Sequence, residues 1–375
     1  MTASPGPQFP LPWALPNEDA PRIRTIETHA AGEPLRIVVD GLPRIPGSTI
    51  LEKRRWAHEH LDDIRRALIL EPRGHRDMYA AILTEPVTPD GHLGVLFLHN
   101  EGFSTMCGHG IIALSATLRR MGVLPAELEA LRIDTPAGRV EATFSEAESS
   151  AGAGASAGAG AGAGASAGAG PEGRTGPVRV GFRNVPSFVL ARDREVEVEG
   201  LGRVRYDLAF GGAFYALVEA ADVGISLRPE NASELARLGR TLQAAIASSQ
   251  EIVHPVEEDL GFLYGVIFVG PPEDPAHHSR NVCIFGDGEV DRSPTGTGVS
   301  ARAALHYARG EVGLGEAFTV ESILGTTFTS TAIEEARVGQ FPAVIPWVEG
   351  TGHLTGRAEY FLDPSDPLRN GVLLR

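Results

Sequence analysis

The sequence predicts an α+β protein made of two similar, pseudo-symmetric domains. Three observations favour this fold class. The chain has 375 residues, too many for one ordinary core and a natural length for two domains. Short β-type apolar runs alternate with helical patterns along both halves. A small glycine-containing motif also occurs once in each half, each time at the start of an apolar stretch. We therefore expect two domains related by a pseudo-twofold axis, with the active site in the cleft between them.

The order of apolar runs suggests where these domains begin and end. Residues 1–20 are proline-rich and predict a flexible tail. The first α/β domain is expected over 21–205, joined by the C-terminal segment 350–375, and the second over 206–349. Residues 151–170 contain only alanine, glycine and serine, so we expect a flexible insertion in a surface loop of the first domain.

The first helical pattern lies over residues 49–69. Its apolar residues fall on one face, and Thr49 with Glu52 predicts a capping box at its start. Lys53 lies off the apolar face and is expected in solvent. Because Lys53 is the chain's single lysine, a pyridoxal phosphate Schiff base is disfavoured.

The remaining elements follow from period-two runs and turn residues. Strands are predicted at 78–87 and 93–101, a helix after Cys107, and a hairpin around Ala137 and Gly138. The later elements are predicted as strands at 176–191 and 204–220, a helix at 232–248, strands at 264–270 and 280–286, a helix after Thr295, and a last strand at 352–364.

Composition excludes several classes of function. The net charge of −15 disfavours nucleic acid and acidic membrane surfaces as partners. No apolar run reaches the roughly 20 residues that span a bilayer, and the N-terminus lacks the pattern of a signal peptide, so a cytoplasmic protein is expected. Two cysteines give no disulfide framework, and no Cys/His spacing matches a zinc site.

A motif that occurs twice in the sequence provides the candidate binding groups. Residues 106–113, "MCGHGIIA", align without a gap with residues 294–301, "PTGTGVSA". Each copy places two glycines where a loop becomes a helix, and the first N–H groups of a helix attract anions. Two such helix starts facing each other could hold one carboxylate between them. The alternative is that the glycines Gly108, Gly110, Gly296 and Gly298 only allow the helices to pack against strands.

Cys107 is the candidate base. At the first turn of a helix, the dipole is expected to lower the pKa of its thiol, and a thiolate beside a bound carboxylate could remove the proton from the adjacent carbon. The alternative is a buried cysteine that acts as a small apolar residue. Cys283 lies outside the repeat in a strand pattern, where core packing is expected.

Five stretches of the sequence, "MCGHG", "DRSPTGTG", "EPRGHRDMY", "HNEGFSTMCGHG" and "FGGAFYALV", resemble the proline racemase superfamily. The resemblance runs from about residue 22 to the C-terminus and is interrupted by the Ala/Gly insertion. It implies a diaminopimelate-epimerase-like fold, in which each domain wraps its strands around a central helix. It also implies catalysis without a cofactor or metal, a small imino-acid substrate and a homodimer.

The resemblance assigns roles to individual positions. Cys107 is expected to accept the proton, and Thr295 stands where racemases of the family have a second cysteine. Asp291 is expected to pair with the ring ammonium, unless it is an ordinary turn residue. The other expected contacts are backbone N–H groups for the carboxylate at Gly108, His109, Gly296 and Thr297, and aromatic walls at Tyr79 and Phe285, of which Phe285 could instead be plain core.

The Cys/Thr pair is similar to that of trans-3-hydroxy-L-proline dehydratases. In that substrate the C2 hydrogen and the C3 hydroxyl lie on the same face of the ring, so one thiol could remove the proton and return it to the departing hydroxyl. A threonine hydroxyl is too weak an acid for proton exchange on the other face. Two alternatives remain: a hydroxyproline epimerase or proline racemase of the same fold, and a catalytically silent imino-acid-binding protein.

Overall fold

The computed structural model describes residues 21–146 and 177–374. The predicted tail at 1–20 and the predicted insertion at 151–170 lie outside these residues. The described part forms a two-part, strand-rich α/β fold with seventeen strands and five α-helices. None of its helices combines the length and the apolar character needed to cross a membrane.

The elements of the first part run from the N-terminal hairpin to a long strand. They are β1 Arg22–Ala30, β2 Glu33–Asp40, α1 Ile50–His60, α2 Asp62–Ile69, β3 Ala80–Thr84, β4 Leu93–His99, β5 Gly102–Phe103, α3 Gly108–Arg120, β6 Ala130–Thr135, β7 Gly138–Glu146, β8 Val178–Arg183 and β9 Ser187–Val198.

The second part continues from the strand that pairs with β9. Its elements are β10 Gly202–Phe210, β11 Phe214–Glu219, α4 Ala232–Ser249, β12 Leu263–Gly270, β13 Ser279–Phe285, β14 Glu289–Val290, α5 Gly296–Arg309, β15 Ala317–Glu321, β16 Thr327–Val338 and β17 Phe341–Phe361.

The same series of strand pairings occurs in both parts. β2 pairs parallel with β3, β3 antiparallel with β4, and β4 parallel with β6. In the second part β11 pairs parallel with β12, β12 antiparallel with β13, and β13 parallel with β15. The helices α3 and α5 occupy equivalent places in these two series. The repeat seen in the motif therefore extends to the topology.

β17 crosses from one part to the other. Its first residues pair with β16, its middle residues 350–352 pair with β8, and its last residues 352–361 pair with β1. The end of β17 thus lies beside β1, the first strand of the described residues. A single 21-residue strand holds the two parts in one continuous sheet.

The two motif helices are the most buried of the fold. Every residue of α3 from Gly108 to Thr117 is buried, and the helix packs against β17, β8 and β1. Every residue of α5 from Gly296 to His306 is buried, and it packs against β17, β9 and β16. Burial on all sides fixes the start of each helix firmly, because neither can shift without disturbing the core.

The region 49–69 differs from its prediction in two ways. The capping box of Thr49 and Glu52 is present, but the helix is broken at Leu61 into α1 and α2. The prediction that Lys53 is solvated is wrong. Its side chain is buried and Nζ donates a 2.6 Å hydrogen bond to the carbonyl of Glu85. Helical periodicity could not show this partner, which lies 32 positions away in the sequence.

Candidate active site

The N-termini of α3 and α5 meet through their first glycines. A β-carbon built on Gly108 would lie 2.6 Å from Cα of Gly296, and one built on Gly296 would lie 2.8 Å from Cα of Gly108. Real β-carbons do not approach backbone atoms this closely, so both positions require glycine. The two motif copies therefore face each other, with their free N–H groups and positive dipole ends at one place.

The second glycine of each motif packs the helix against a strand. A β-carbon on Gly110 would lie 2.4 Å from Phe97, and one on Gly298 would lie 2.3 Å from Ile267. The packing interpretation of these glycines is thus correct for Gly110 and Gly298, whereas Gly108 and Gly296 bring the two helices together.

Cys107 is the N-cap residue of α3. Its Sγ accepts a hydrogen bond from the Gly110 N–H at 3.2 Å and lies 3.2 Å from Nδ1 of His109. The prediction that the helix terminus lowers the thiol pKa is wrong for the closed site. Burial raises the pKa of Cys107 well above its usual value, and the Gly110 hydrogen bond opposes this only in part. The resting thiol is therefore protonated at neutral pH.

His109 does not form an ion pair with Cys107. Burial lowers the pKa of His109 to about 3, and the positive charge of Arg292 acts in the same direction. The imidazole is therefore neutral at physiological pH. A neutral ring can share a hydrogen bond with the thiol, but it does not hold a thiolate by charge as an imidazolium does.

Thr295 is the N-cap residue of α5 and adopts a left-handed conformation, with φ of 66°. A β-branched residue in this region carries backbone strain of roughly 1–3 kcal/mol. Thr295 is 4% exposed, and its hydroxyl favours the charged form of the neighbouring Asp291 carboxyl. A strained, buried residue that contacts a carboxyl is more typical of a binding site than of a helix cap.

Asp291 lies in the turn between β14 and α5. It is 4% exposed, its backbone N–H donates to the carbonyl of Cys283, and its Oδ1 accepts from the Ser293 N–H at 2.7 Å. Burial raises the pKa of the Asp291 carboxyl, which the Ser293 hydrogen bonds oppose. Cys283 itself is fully buried in β13, as expected of a core residue.

Aromatic side chains enclose this cluster. The ring of Tyr79 lies 4.9 Å from that of His109 and 6.2 Å from that of Phe285. Sequence reasoning missed Tyr264, whose ring stacks on Phe285 at 5.4 Å and whose hydroxyl lies 3.1 Å from that of Tyr79. It also missed Tyr215, whose hydroxyl lies 2.7 Å from Oγ1 of Thr297. Both tyrosines lie in otherwise apolar strand sequences. A phenol hydroxyl in such a sequence was the signal that could have identified them as site residues.

The site is closed in this structure. Cys107, Asp291 and Thr295 are each 4% exposed, and Tyr79, Phe285 and Thr297 are equally buried. Within residues 21–146 and 177–374, no three His, Cys, Asp or Glu side chains are grouped as metal ligands are.

Two opposed helix N-termini beside one thiol form a site suited to small carboxylates with a reactive neighbouring carbon. The chain belongs to the proline racemase family, whose model, described as proline racemase, matches residues 25–154 and 163–373.

Two relatives and one solved structure resemble the chain over nearly its whole length. A trans-3-hydroxy-L-proline dehydratase of Colwellia psychrerythraea is 44% identical, with 94% of this chain and 93% of the relative covered. A 3-hydroxyproline 2-epimerase of Burkholderia multivorans is 42% identical, with coverages of 94% and 98%. The structure of a hydroxyproline epimerase from Agrobacterium vitis, with bound trans-4-OH-L-proline, has a TM-score of 0.82 at 28% identity, with coverages of 94% and 95%.

Proposed function

We propose that this protein is a cofactor-free hydro-lyase that dehydrates trans-3-hydroxy-L-proline to pyrroline-2-carboxylate. The observation that carries the proposal is the asymmetry of the two motif copies: a thiol, Cys107, stands at one helix N-terminus and a hydroxyl, Thr295, at the other. The relative from Colwellia psychrerythraea, named for this dehydration, supports the choice of substrate.

The substrate is held at both of its charged ends. Its carboxylate accepts hydrogen bonds from the backbone N–H groups of Gly108, His109, Gly296 and Thr297, which belong to the first turns of α3 and α5. Its ring ammonium pairs with Asp291. The ring lies between the walls formed by Tyr79 and Phe285. Binding at both ends fixes which face of C2 meets the thiol.

Neutralising the charge of Asp291 allows the Cys107 thiol to act as a base. Burial raises the pKa of Cys107, and the negative charge of Asp291 adds to this effect. A bound ammonium cancels that charge and so favours the thiolate. The free N–H groups of both helices meanwhile stabilise the negative charge that grows on the carboxylate as the C2 proton leaves.

The reaction requires only one proton-transferring group. The Cys107 thiolate takes the C2 proton, and the electron pair left on C2 forms the C2–C3 double bond as the hydroxyl leaves C3. The thiol gives the same proton to the departing hydroxyl, which leaves as water and regenerates the thiolate. The enamine then tautomerises to the cyclic imine. Thr295 contacts the opposite face without exchanging a proton, since its hydroxyl is too weak an acid.

The arrangement of α3 and α5 supports a diaminopimelate-epimerase-like architecture, with each half built around its buried helix. The repeated strand pairings support the pseudo-twofold relation between the halves. The homodimer rests on the family resemblance alone.

The second candidate is epimerisation at C2, which the name of the Burkholderia multivorans relative favours. Incubation with trans-3-hydroxy-L-proline in D₂O separates the two reactions. Dehydration releases a cyclic imine, detectable by o-aminobenzaldehyde. Deuterium at C2 of an inverted hydroxyproline, without imine, contradicts the dehydratase proposal. Recovery of unlabelled substrate alone contradicts both enzymes and leaves the binding protein.

A further inference from the structure

An ion pair joins the two parts of the protein directly beside Asp291. Glu33 begins β2 in the first part, and Arg292 follows Asp291 in the second. The Arg292 side chain donates two hydrogen bonds to the Glu33 carboxylate, from Nε to Oε2 at 2.8 Å and from Nη2 to Oε1 at 2.9 Å. The Arg292 backbone N–H donates a third hydrogen bond, to Oε2 at 2.8 Å. The Glu33 side chain is fully buried. The backbone bond fixes the peptide that immediately follows Asp291.

A second segment of the first part holds the same arginine. Arg292 Nη2 also donates to the carbonyl of Asp77, and Asp77 Oδ1 accepts from the Val290 N–H at 3.3 Å. Asp77 lies two residues before Tyr79. Arg292 therefore links Asp291 to the Glu33 turn and to the segment that carries an aromatic wall of the site.

We propose that Arg292 and Glu33 are positioning residues that orient Asp291 and set its charge, so that it can bind the ring ammonium of the substrate. This inference rests on the proposed function, because it takes the ammonium as the ligand of Asp291.

The electrostatic argument follows from the groups around Asp291. Burial favours the neutral acid, and several further groups that face Asp291 become negative when they ionise. Arg292 is a cation in direct contact with Glu33. Burial raises the pKa of Asp291 and raises the pKa of Glu33 to about 8, while the positive charge of Arg292 opposes both shifts. The groups facing the carboxyl or its arginine are Glu33 of β2, Asp77 before β3, Cys107 before α3, His109 of α3, Tyr215 of β11 and Cys283 of β13.

Two substitutions separate the charge of Arg292 from the contact that it makes. Arg292→Met removes the positive charge, so the acidic limb of the kcat/KM profile should move upward by about one pH unit or more, with KM raised about tenfold at pH 7. Glu33→Gln keeps a hydrogen-bonding partner for Arg292. Because the raised pKa of Glu33 leaves its carboxyl protonated over the acidic limb, this limb should stay near that of the wild type. The double variant should show the upward shift of Arg292→Met.

Conservative and remote variants serve as controls. Arg292→Lys keeps the positive charge but loses the bidentate hydrogen bonding to Glu33. The acidic limb of its kcat/KM profile should therefore stay near that of the wild type, while KM rises. Arg203→Met removes an exposed arginine that pairs with Glu195 and Glu197, and should change neither quantity. Thermal melts and circular dichroism establish that each variant is folded.

A purely structural role would lower activity in Arg292→Met without moving the limb. That result, or an equal upward shift in Glu33→Gln, would overturn the inference. Should Arg292→Met not fold, Arg292→Gln decides the question, because it keeps a hydrogen-bond donor but loses the charge. Its limb should move upward, and an unmoved limb would overturn the inference.

If the wild-type protein releases no imine, the proposed function is contradicted, whereas the positioning role is not. The pH dependence of L-proline binding, measured by calorimetry on the same variants, then tests the positioning role without turnover. An upward shift in Arg292→Met but not in Glu33→Gln supports the role, and equal shifts in both variants or no shift contradict it.

Discussion

The α-carbons of Gly108 and Gly296 lie so close that neither residue has room for a side chain. A β-carbon on the first would meet Cα of the second at 2.6 Å. This contact is the point at which the two copies of the motif meet, and it fixes the distance between the two helix N-termini. The predictions below follow from that geometry.

Gly108→Ala should force the two helices apart, because the clash is with backbone that cannot rotate away. A shift near 1 Å in a site of this kind costs about 100-fold in kcat/KM, and overpacking costs about 1–3 kcal/mol of stability. Steady-state kinetics and thermal denaturation measure both. Gly102→Ala is the matched control, since a β-carbon there meets nothing within 4 Å. Equal behaviour of the two variants would contradict the role of the contact.

Cys107→Ser should abolish dehydration while the protein stays folded, because serine is a far weaker acid than cysteine and forms no useful base here. Imine release measures the loss. Activity above a tenth of wild type, a loss of less than about 1.4 kcal/mol of barrier, would exclude the one-thiol mechanism. Cys283→Ala is the control for a cysteine outside the motif and should retain most activity.

Thr295→Cys should introduce some epimerase or racemase activity and reduce dehydration. A thiol at this N-cap faces the opposite side of C2 and can return a proton there. Chiral analysis of L-proline after long incubation measures inversion, with Thr295→Ser as the control that adds no thiol. A folded variant that binds proline without inverting it would show that this residue does not face the second side of the carbon.

The raised pKa of Cys107 predicts slow alkylation of the empty enzyme. Burial favours the protonated thiol, so the rate of reaction with iodoacetamide should keep rising with pH beyond the range of an ordinary cysteine, whose pKa is about 8.5. The titrating group is assigned with Cys107→Ser, which should remove this phase. A full-rate reaction at pH 7 would show that the thiolate is already present without a ligand.

The sequence was sufficient for features set by local pattern. The capping box of Thr49 and Glu52 needs only a four-residue spacing, and the doubled motif located Cys107 and Thr295 at the two helix starts. Features set by tertiary burial were not predictable. The direction of the Cys107 pKa depends on how completely the surrounding protein excludes water.

Other features could not be predicted because they depend on contacts between residues far apart in the sequence. Lys53 is buried, and a carbonyl 32 positions away in the sequence accepts a hydrogen bond from its ammonium group. Glu33 and Arg292 lie 259 positions apart, so no spacing rule could pair them. Tyr264 was missed for the same reason, because it contacts Tyr79, which lies 185 positions away in the sequence.

The long strand β17 determines when the two parts can fold during synthesis. β1 lies between β2 and β17, and Arg22 pairs with Phe361 at the end of β17. Until β17 has emerged from the ribosome, β1 presents an unpaired edge, which is a surface prone to association with other chains. The first part therefore cannot complete its sheet before the second part has been synthesised. A truncation before β17 should leave both parts incomplete.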